Sequence, residues 1–121
     1  MAKILKCDEC GSIIQVFVDG EGDACNAHML EIPVQTEGEK APKHKPVVEI
    51  DGDKVTVKVG EAAHPMDDDH YIQFLVVEAG AEQYVKSFKP GDVAEATFTV
   101  NAADDVKAFA FCNLHGLWSS E

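Results

Sequence analysis

Lys54-Val55-Thr56-Val57-Lys58-Val59 is the stretch whose reading decides the fold. Two Lys and a Thr alternate with three Val, the period of a strand with one face in a core and the other in water. Just upstream, Asp51-Gly52-Asp53 reads as a hairpin turn, and residues 47–50 as the strand that it reverses. The same alternation returns where Glu95, Thr97 and Thr99 interleave with Ala96, Phe98 and Val100. Residues 71–79 and 106–111 are further strand candidates, set apart by Gly80 and by Pro90-Gly91-Asp92. Residues 83–88 read as strand or as a helical turn, because Tyr84, Val85 and Phe88 also fit helical spacing. Short strands at regular spacing with turn signals between them predict an all-β chain built as a β-sandwich.

Residues 1–36 have a different texture and are expected to form a separate small domain, with the sandwich over 37–121. The first part holds three of the four Cys, a Gly-rich turn at Asp19-Gly20-Glu21-Gly22-Asp23, and two short apolar, partly β-branched runs at 13–18 and 29–34. A piece this short makes no core without a staple. A polar stretch bearing Lys and Gly, residues 35–45, reads as the linker.

The 121 residues allow one ordinary domain plus a small appendage. Apolar residues at 45% and charged ones at 26% make the composition globular. No apolar run approaches the length that spans a bilayer, and Met1-Ala2-Lys3-Ile4-Leu5-Lys6-Cys7 reaches polar residues too soon for a signal peptide. A cytoplasmic protein is expected. Ten Lys face 22 acidic residues, for a net charge of -12. Such a surface repels phosphate backbones and anionic membranes, so neither nucleic acid nor membrane is an expected partner.

Cys7, Cys10, Cys25 and Cys112 are too unevenly spaced for a secreted disulfide framework. In a reducing compartment, Cys at short spacing points to metal binding or redox chemistry. Four of the five His, at 44, 64, 70 and 115, fall at expected strand ends or in loops of the C-terminal part. Cys112 and His115 stand three apart where a strand runs out, so thiolate and imidazole can face one point. His64 and His70 bracket one connection and can converge likewise. Any one of these His alone reads as a surface residue; together with Cys112 they read as a shared metal site.

The ligand types narrow the metal. No carboxylates interleave with these His in a calcium or magnesium pattern. Imidazole and thiolate together suit zinc, copper or iron. Five candidate ligands exceed the four of a structural zinc site. A cupredoxin-like electron-transfer protein also places a Cys and a His near the end of a β-sandwich. It wants an axial Met after the last His, and residues 116–121 contain none. Five nitrogen and sulfur ligands around one iron, with a sixth position open, fit better.

Four segments then carry a resemblance. Lys43-His44-x-Pro46, His64-Pro65-Met66-x-x-x-His70-Tyr71-Ile72, Lys89-Pro90-Gly91-Asp92 and Cys112-Asn113-x-His115-Gly116-x-Trp118 together resemble the superoxide reductases of the desulfoferrodoxin and neelaredoxin group. The likeness covers residues 42–121 in order and spacing. It implies an immunoglobulin-like β-sandwich and a mononuclear iron with four His in a plane and one axial Cys. By position, His44, His64, His70 and His115 would be equatorial and Cys112 axial. The activity implied is one-electron reduction of superoxide, with two protons, to hydrogen peroxide. Lys43 would hold a positive charge beside the open position, while Lys40 reads as a solvated linker cation. Screening beyond about 8 Å at physiological salt lets such a local positive patch outweigh the acidic surface. The electron would come from a small redox protein such as a rubredoxin, and the sheet edges make a homo-oligomer expected.

Two departures from the family pattern stand out. Most members carry Glu just before the Lys, thought to close on the oxidised iron; here the position is Pro42, with Glu39 three residues upstream. The resemblance therefore places the difference in resting state and product release. Cys7-x-x-Cys10-Gly11 followed by Cys25 resembles a desulforedoxin-type domain, whose four Cys hold a second iron. One member of its adjacent Cys pair is replaced by Ala24. Three thiolates do not complete a tetrahedral site. His28 could supply the fourth ligand; read instead as a surface residue, it leaves the expectation of a vestigial domain without iron, holding free thiols or a Cys7–Cys10 disulfide.

Overall fold

The computed structural model describes residues 3–18, 20–21, 28–101 and 105–121. The chain divides into two compact units, Met1–Pro33 and Val34–Glu121. The first holds β1 (Ile4–Cys7), β2 (Ile13–Gln15) and β3 (Met29–Glu31), an antiparallel sheet in the order β2-β1-β3. Leu5 faces Ile14 on one side and Glu31 on the other. Most of the expected Gly-rich turn, with Ala24 and Cys25, lies outside the described residues.

The second unit runs β4 (Val34–Gln35), α1 (Ala41–His44), β5 (Pro46–Asp51), β6 (Lys54–Val59), β7 (Ile72–Ala79), β8 (Glu82–Ser87), β9 (Glu95–Thr99), β10 (Val106–Cys112) and β11 (Gly116–Ser119). Two sheets form the sandwich, β4-β11-β10-β7-β8 and β5-β6-β9. The all-β expectation holds. Val55, Val57 and Val59 are buried while Lys54 and Lys58 are exposed, so the alternating stretch turns its apolar face inward. There it meets Leu75 and Val77 of β7 and Ala108, Ala110 and Cys112 of β10 in one core. The small Ala pair on β10 leaves room for the branched side chains opposite, as close packing requires.

Residues 83–88, readable either way, fall almost wholly within β8, a strand paired antiparallel with β7. Three elements of this unit carried no sequence signal. Strand β11 is four residues opening on Gly116, too short to show alternation, yet it pairs with β10 and lies parallel to β4. The stretch expected as a plain linker, 35–45, begins in β4 and closes in α1, a single helical turn with Pro42 in its first positions. Proline is accepted there because the first helical N–H groups have no partner within the helix.

Candidate metal centre

Four segments deliver the candidate ligands, each fixed by its own backbone pairing. His44 closes α1, and Lys45 N–H donates to the Ala41 carbonyl at 2.8 Å to complete the turn. That turn sits hard against the loop after β6. Gly60, at φ +85, is so close that a Cβ there would lie 2.6 Å from the Lys43 carbonyl oxygen. Ala62 N–H donates to the Pro42 carbonyl at 3.1 Å. His64 and His70 stand at the two ends of the connection leading into β7, with Asp67 and His70 exchanging backbone hydrogen bonds. Cys112 ends β10, where the register with β7 shifts, and His115 precedes β11.

The four imidazoles close a ring in the order His44, His64, His70, His115. Neighbouring centroids are 4.5, 4.7, 5.0 and 4.9 Å apart, each pair nearly perpendicular, and His44 faces His70 across the ring at 6.3 Å. One donor atom each from His44, His70, Cys112 and His115 lie within 4.8 Å of one another. His64 joins through its Nε2, 3.0 Å from His44 Nε2. His115 Nδ1 lies 3.1 Å from His44 Nε2 and 3.8 Å from Cys112 Sγ.

The donors' chemistry tests whether a cation belongs here. The Lys40 carbonyl, 2.7 Å from His44 Nδ1, can only accept, so that nitrogen carries the proton and Nε2 the lone pair. The Pro65 carbonyl fixes His64 the same way at 2.6 Å. Two Nε2 lone pairs therefore confront each other at 3.0 Å with no proton between them. A cation relieves that repulsion, and 3.0 Å is the separation of two nitrogens at adjacent corners around an ion with bonds of about 2.1 Å. His70 Nε2 is buried without a hydrogen-bond partner, a state that costs about 1–3 kcal/mol unless something outside the protein atoms satisfies it. The residues fit a metal ion of the kind that imidazole and thiolate bind.

Burial and mutual repulsion favour the neutral, ligating form of three of these rings, His44, His64 and His115. Burial pushes His64 down from 6.5 to about 4, with His44, His70 and His115 adding repulsion. His44 and His115 are lowered too, chiefly by burial. The Lys40 ammonium contributes to both shifts, so a cation read from the sequence as mere linker bears on the cluster. Lys43 is exposed on α1, next to His44.

The matched family model, described as Desulfoferrodoxin, spans residues 36–121. The chain belongs to the desulfoferrodoxin family. It is 44% identical over 120 residues to a desulfoferrodoxin homolog of Archaeoglobus fulgidus, covering 98% of this chain and 95% of that one. It is 30% identical over 111 residues to a superoxide reductase of Pyrococcus horikoshii, covering 77% and 96% respectively. The crystal structure of the superoxide reductase from Treponema pallidum aligns over 100% of this chain and 98% of that one, with a TM-score of 0.78 and 34% identity.

Three residues around this desulfoferrodoxin-family centre had no role assigned from sequence. Trp118 stacks on His44 and donates Nε1–H to the His115 carbonyl at 3.1 Å. Gln35 Nε2 donates to that same carbonyl at 2.7 Å. Asn113 ties its loop to the residues flanking His70. Asn113 and Trp118 sit beside the ligands in sequence, a usable signal; Gln35, 80 residues from His115, offered none.

In the first unit, Cys7 and Cys10 are free thiols at a turn after β1. Cys10 is drawn down to about 7 by its hydrogen bonds with Ser12 and Cys7. His28 is exposed, with Nδ1 3.2 Å from Asp8 and Nε2 3.5 Å from Glu9. Among the described residues no helix is long and apolar enough to cross a membrane.

Proposed function

We propose that this chain is a superoxide reductase, carrying out O2•− + e− + 2H+ → H2O2 at a mononuclear non-haem iron held by His44, His64, His70, His115 and Cys112. The observation that carries the reading is the convergence of imidazole nitrogens and a buried thiol on one point, with the His44 and His64 lone pairs opposed at 3.0 Å. Iron bound there would supply the electron and, with five protein ligands, a sixth position open to a small anion.

The chain's own groups do the rest. The carbonyls of Lys40 and Pro65 hold the His44 and His64 protons on Nδ1, away from the ligating atoms. Lys43 attracts the anion and stabilises negative charge as peroxide forms. Lys40 lends a second positive charge near His44 and His115. Pro42, whose carbonyl is bound by Ala62, stands where most members carry Glu, so no carboxylate at that position closes over the site. The cupredoxin-like alternative lacks a thioether ligand: the Met66 sulfur accepts Ile72 N–H at 3.4 Å and packs against the core.

The same reading takes residues 1–36 as a desulforedoxin-like unit with three of its four Cys and no iron. It takes a small redox protein such as a rubredoxin as electron donor, the cytoplasm as location, and a homo-oligomer as the assembly.

The test is elemental analysis of anaerobically purified protein, combined with superoxide decay after pulse radiolysis. One iron per chain, with peroxide formed and no oxygen released, is expected. Copper or zinc reproducibly in place of iron, even on reconstitution, overturns it. Cys112→Ser is expected to abolish reduction; full activity in that variant rules out the thiolate ligand.

A further inference from the structure

We infer that Asn113 is a positioning residue whose side-chain amide locks the His70 segment to the Cys112–His115 loop and so sets the shape of the metal centre. The inference rests on the reading of that centre as a metal site.

Strands β7 and β10 pair regularly up to Phe111, the register then shifts, and Cys112↔Ile72 is the last pair. Beyond it the ladder ends, and one backbone hydrogen bond is left between the two ligand-bearing segments. Asn113 continues it by other means. Its backbone N–H donates to the Tyr71 carbonyl at 3.2 Å. Its Oδ1 then accepts Tyr71 N–H at 2.9 Å, and its Nδ2 donates to the Asp69 carbonyl at 3.0 Å. The amide thus offers one acceptor and one donor side by side, as a peptide unit of another strand would.

The two partners flank His70 on either side. His70's own N–H and carbonyl are already committed to Asp67. With both neighbouring peptides also held, the segment has little freedom to turn, and Nε2 is kept buried without a protein partner. On the other side of Asn113, Cys112 is fully buried and His115 is held through its carbonyl by Gln35 and Trp118. Asn113 is therefore the cross-tie between two segments that carry two candidate ligands each, His64 and His70 on one, Cys112 and His115 on the other. Its chemistry is specific: Asp lacks the donor, Ala lacks both groups, and Gln is one methylene too long.

The test titrates the full-length, metal-free chain with Co2+ under anaerobic conditions, in competition with a chelator, for the native chain, Asn113→Ala and Asn113→Asp. Loss of an outer partner typically costs about 10–100-fold in metal affinity, and Asn113→Ala is expected to fall in that range. Its thiolate-to-cobalt charge-transfer band should also shift, which lowered fold stability alone does not produce. Asn113→Asp keeps the shape and the acceptor, so it guards against a variant that does not fold. Its added negative charge by itself favours a dication, so weaker binding in this variant isolates the lost donor. Native-like affinity and an unmoved band in both variants overturn the inference. A native chain that binds cobalt with the predicted variant losses, but whose iron form reduces no superoxide, sinks the proposed function and leaves this positioning role standing. A native chain that takes up neither cobalt nor iron overturns both.

Discussion

Trp118 lies against His44 with ring centroids 5.4 Å apart and planes 27° from parallel, and the same indole donates its N–H to the His115 carbonyl. One buried side chain thus braces two candidate ligands that stand 71 residues apart in sequence. Trp118→Phe keeps an aromatic face but loses the donor. Gln35 still satisfies the carbonyl, so the cost should be modest, about 1–2 kcal/mol in urea unfolding. Trp118→Ala removes the stack as well and should cost about 3–5 kcal/mol. Equal losses for the two would deny the ring any bracing role.

Gly60→Ala should be far more damaging than Gly52→Ala, although both glycines have positive φ. At Gly52 the new methyl meets open space, leaving only the backbone penalty of about 1–2 kcal/mol. At Gly60 it would meet the Ala62 carbonyl oxygen at 2.5 Å and Lys43 backbone at 2.6 and 2.7 Å, none of which belongs to a flexible tip. The expected cost is the same penalty plus about 1–3 kcal/mol of overpacking, along with weakened metal binding because α1 carries His44. Thermal unfolding and metal content of both variants read this out, and equal effects would contradict it.

Acid should weaken the metal-free protein well before its carboxylates titrate. His64 is held at about 4 in the folded chain against 6.5 when unfolded, and His44 and His115 are lowered in the same sense. Below pH 6.5 the unfolded chain therefore binds more protons, and stability falls as the pH drops toward 4. His64 alone contributes up to about 1.4 kcal/mol per pH unit in that window. Urea midpoints at pH 7.5, 6 and 5 should decline accordingly, with a shallower slope in His64→Gln. A flat profile in the native chain would count against these shifts.

Two lysines compete for the role of the cation beside the site. Lys43→Ala should slow superoxide reduction by about tenfold or more and flatten its dependence on ionic strength, as loss of a charge that stabilises a developing anion does. Lys40→Ala should have a smaller effect in the same direction, since its charge reaches His44 and His115. Rate constants across a salt series separate the two. A larger loss for Lys40→Ala would transfer the principal role to it.

How much of this was legible beforehand follows from what each signal depends on. The alternation in Lys54–Val59 survives because β6 has one face in the core and one in water. Strand β8 was ambiguous since it lies at the sheet edge and five of its six residues are exposed, which erases the period. Strand β11 and helix α1 are four residues each, shorter than any pattern can register. His44, His64, His70, His115 and Cys112 were readable as a set because their residue types have few other reasons to gather at strand ends. Gln35 and the reach of Lys40 were hidden, because both depend on where the chain passes in space.

The His44 and His115 nitrogens meet at 3.1 Å across 71 residues, and His64 meets His44 across 20. A chain still being synthesised offers His44 alone, then the fragment His64–His70 and, much later, Cys112–His115. Neither fragment confines its donors until β7 has paired with β10 and α1 has settled on Gly60. Selection of a metal by such a centre would thereby be deferred to the finished fold. A flexible nascent peptide would rank ions by intrinsic affinity and favour copper; a rigid, preassembled cage ranks them by fit.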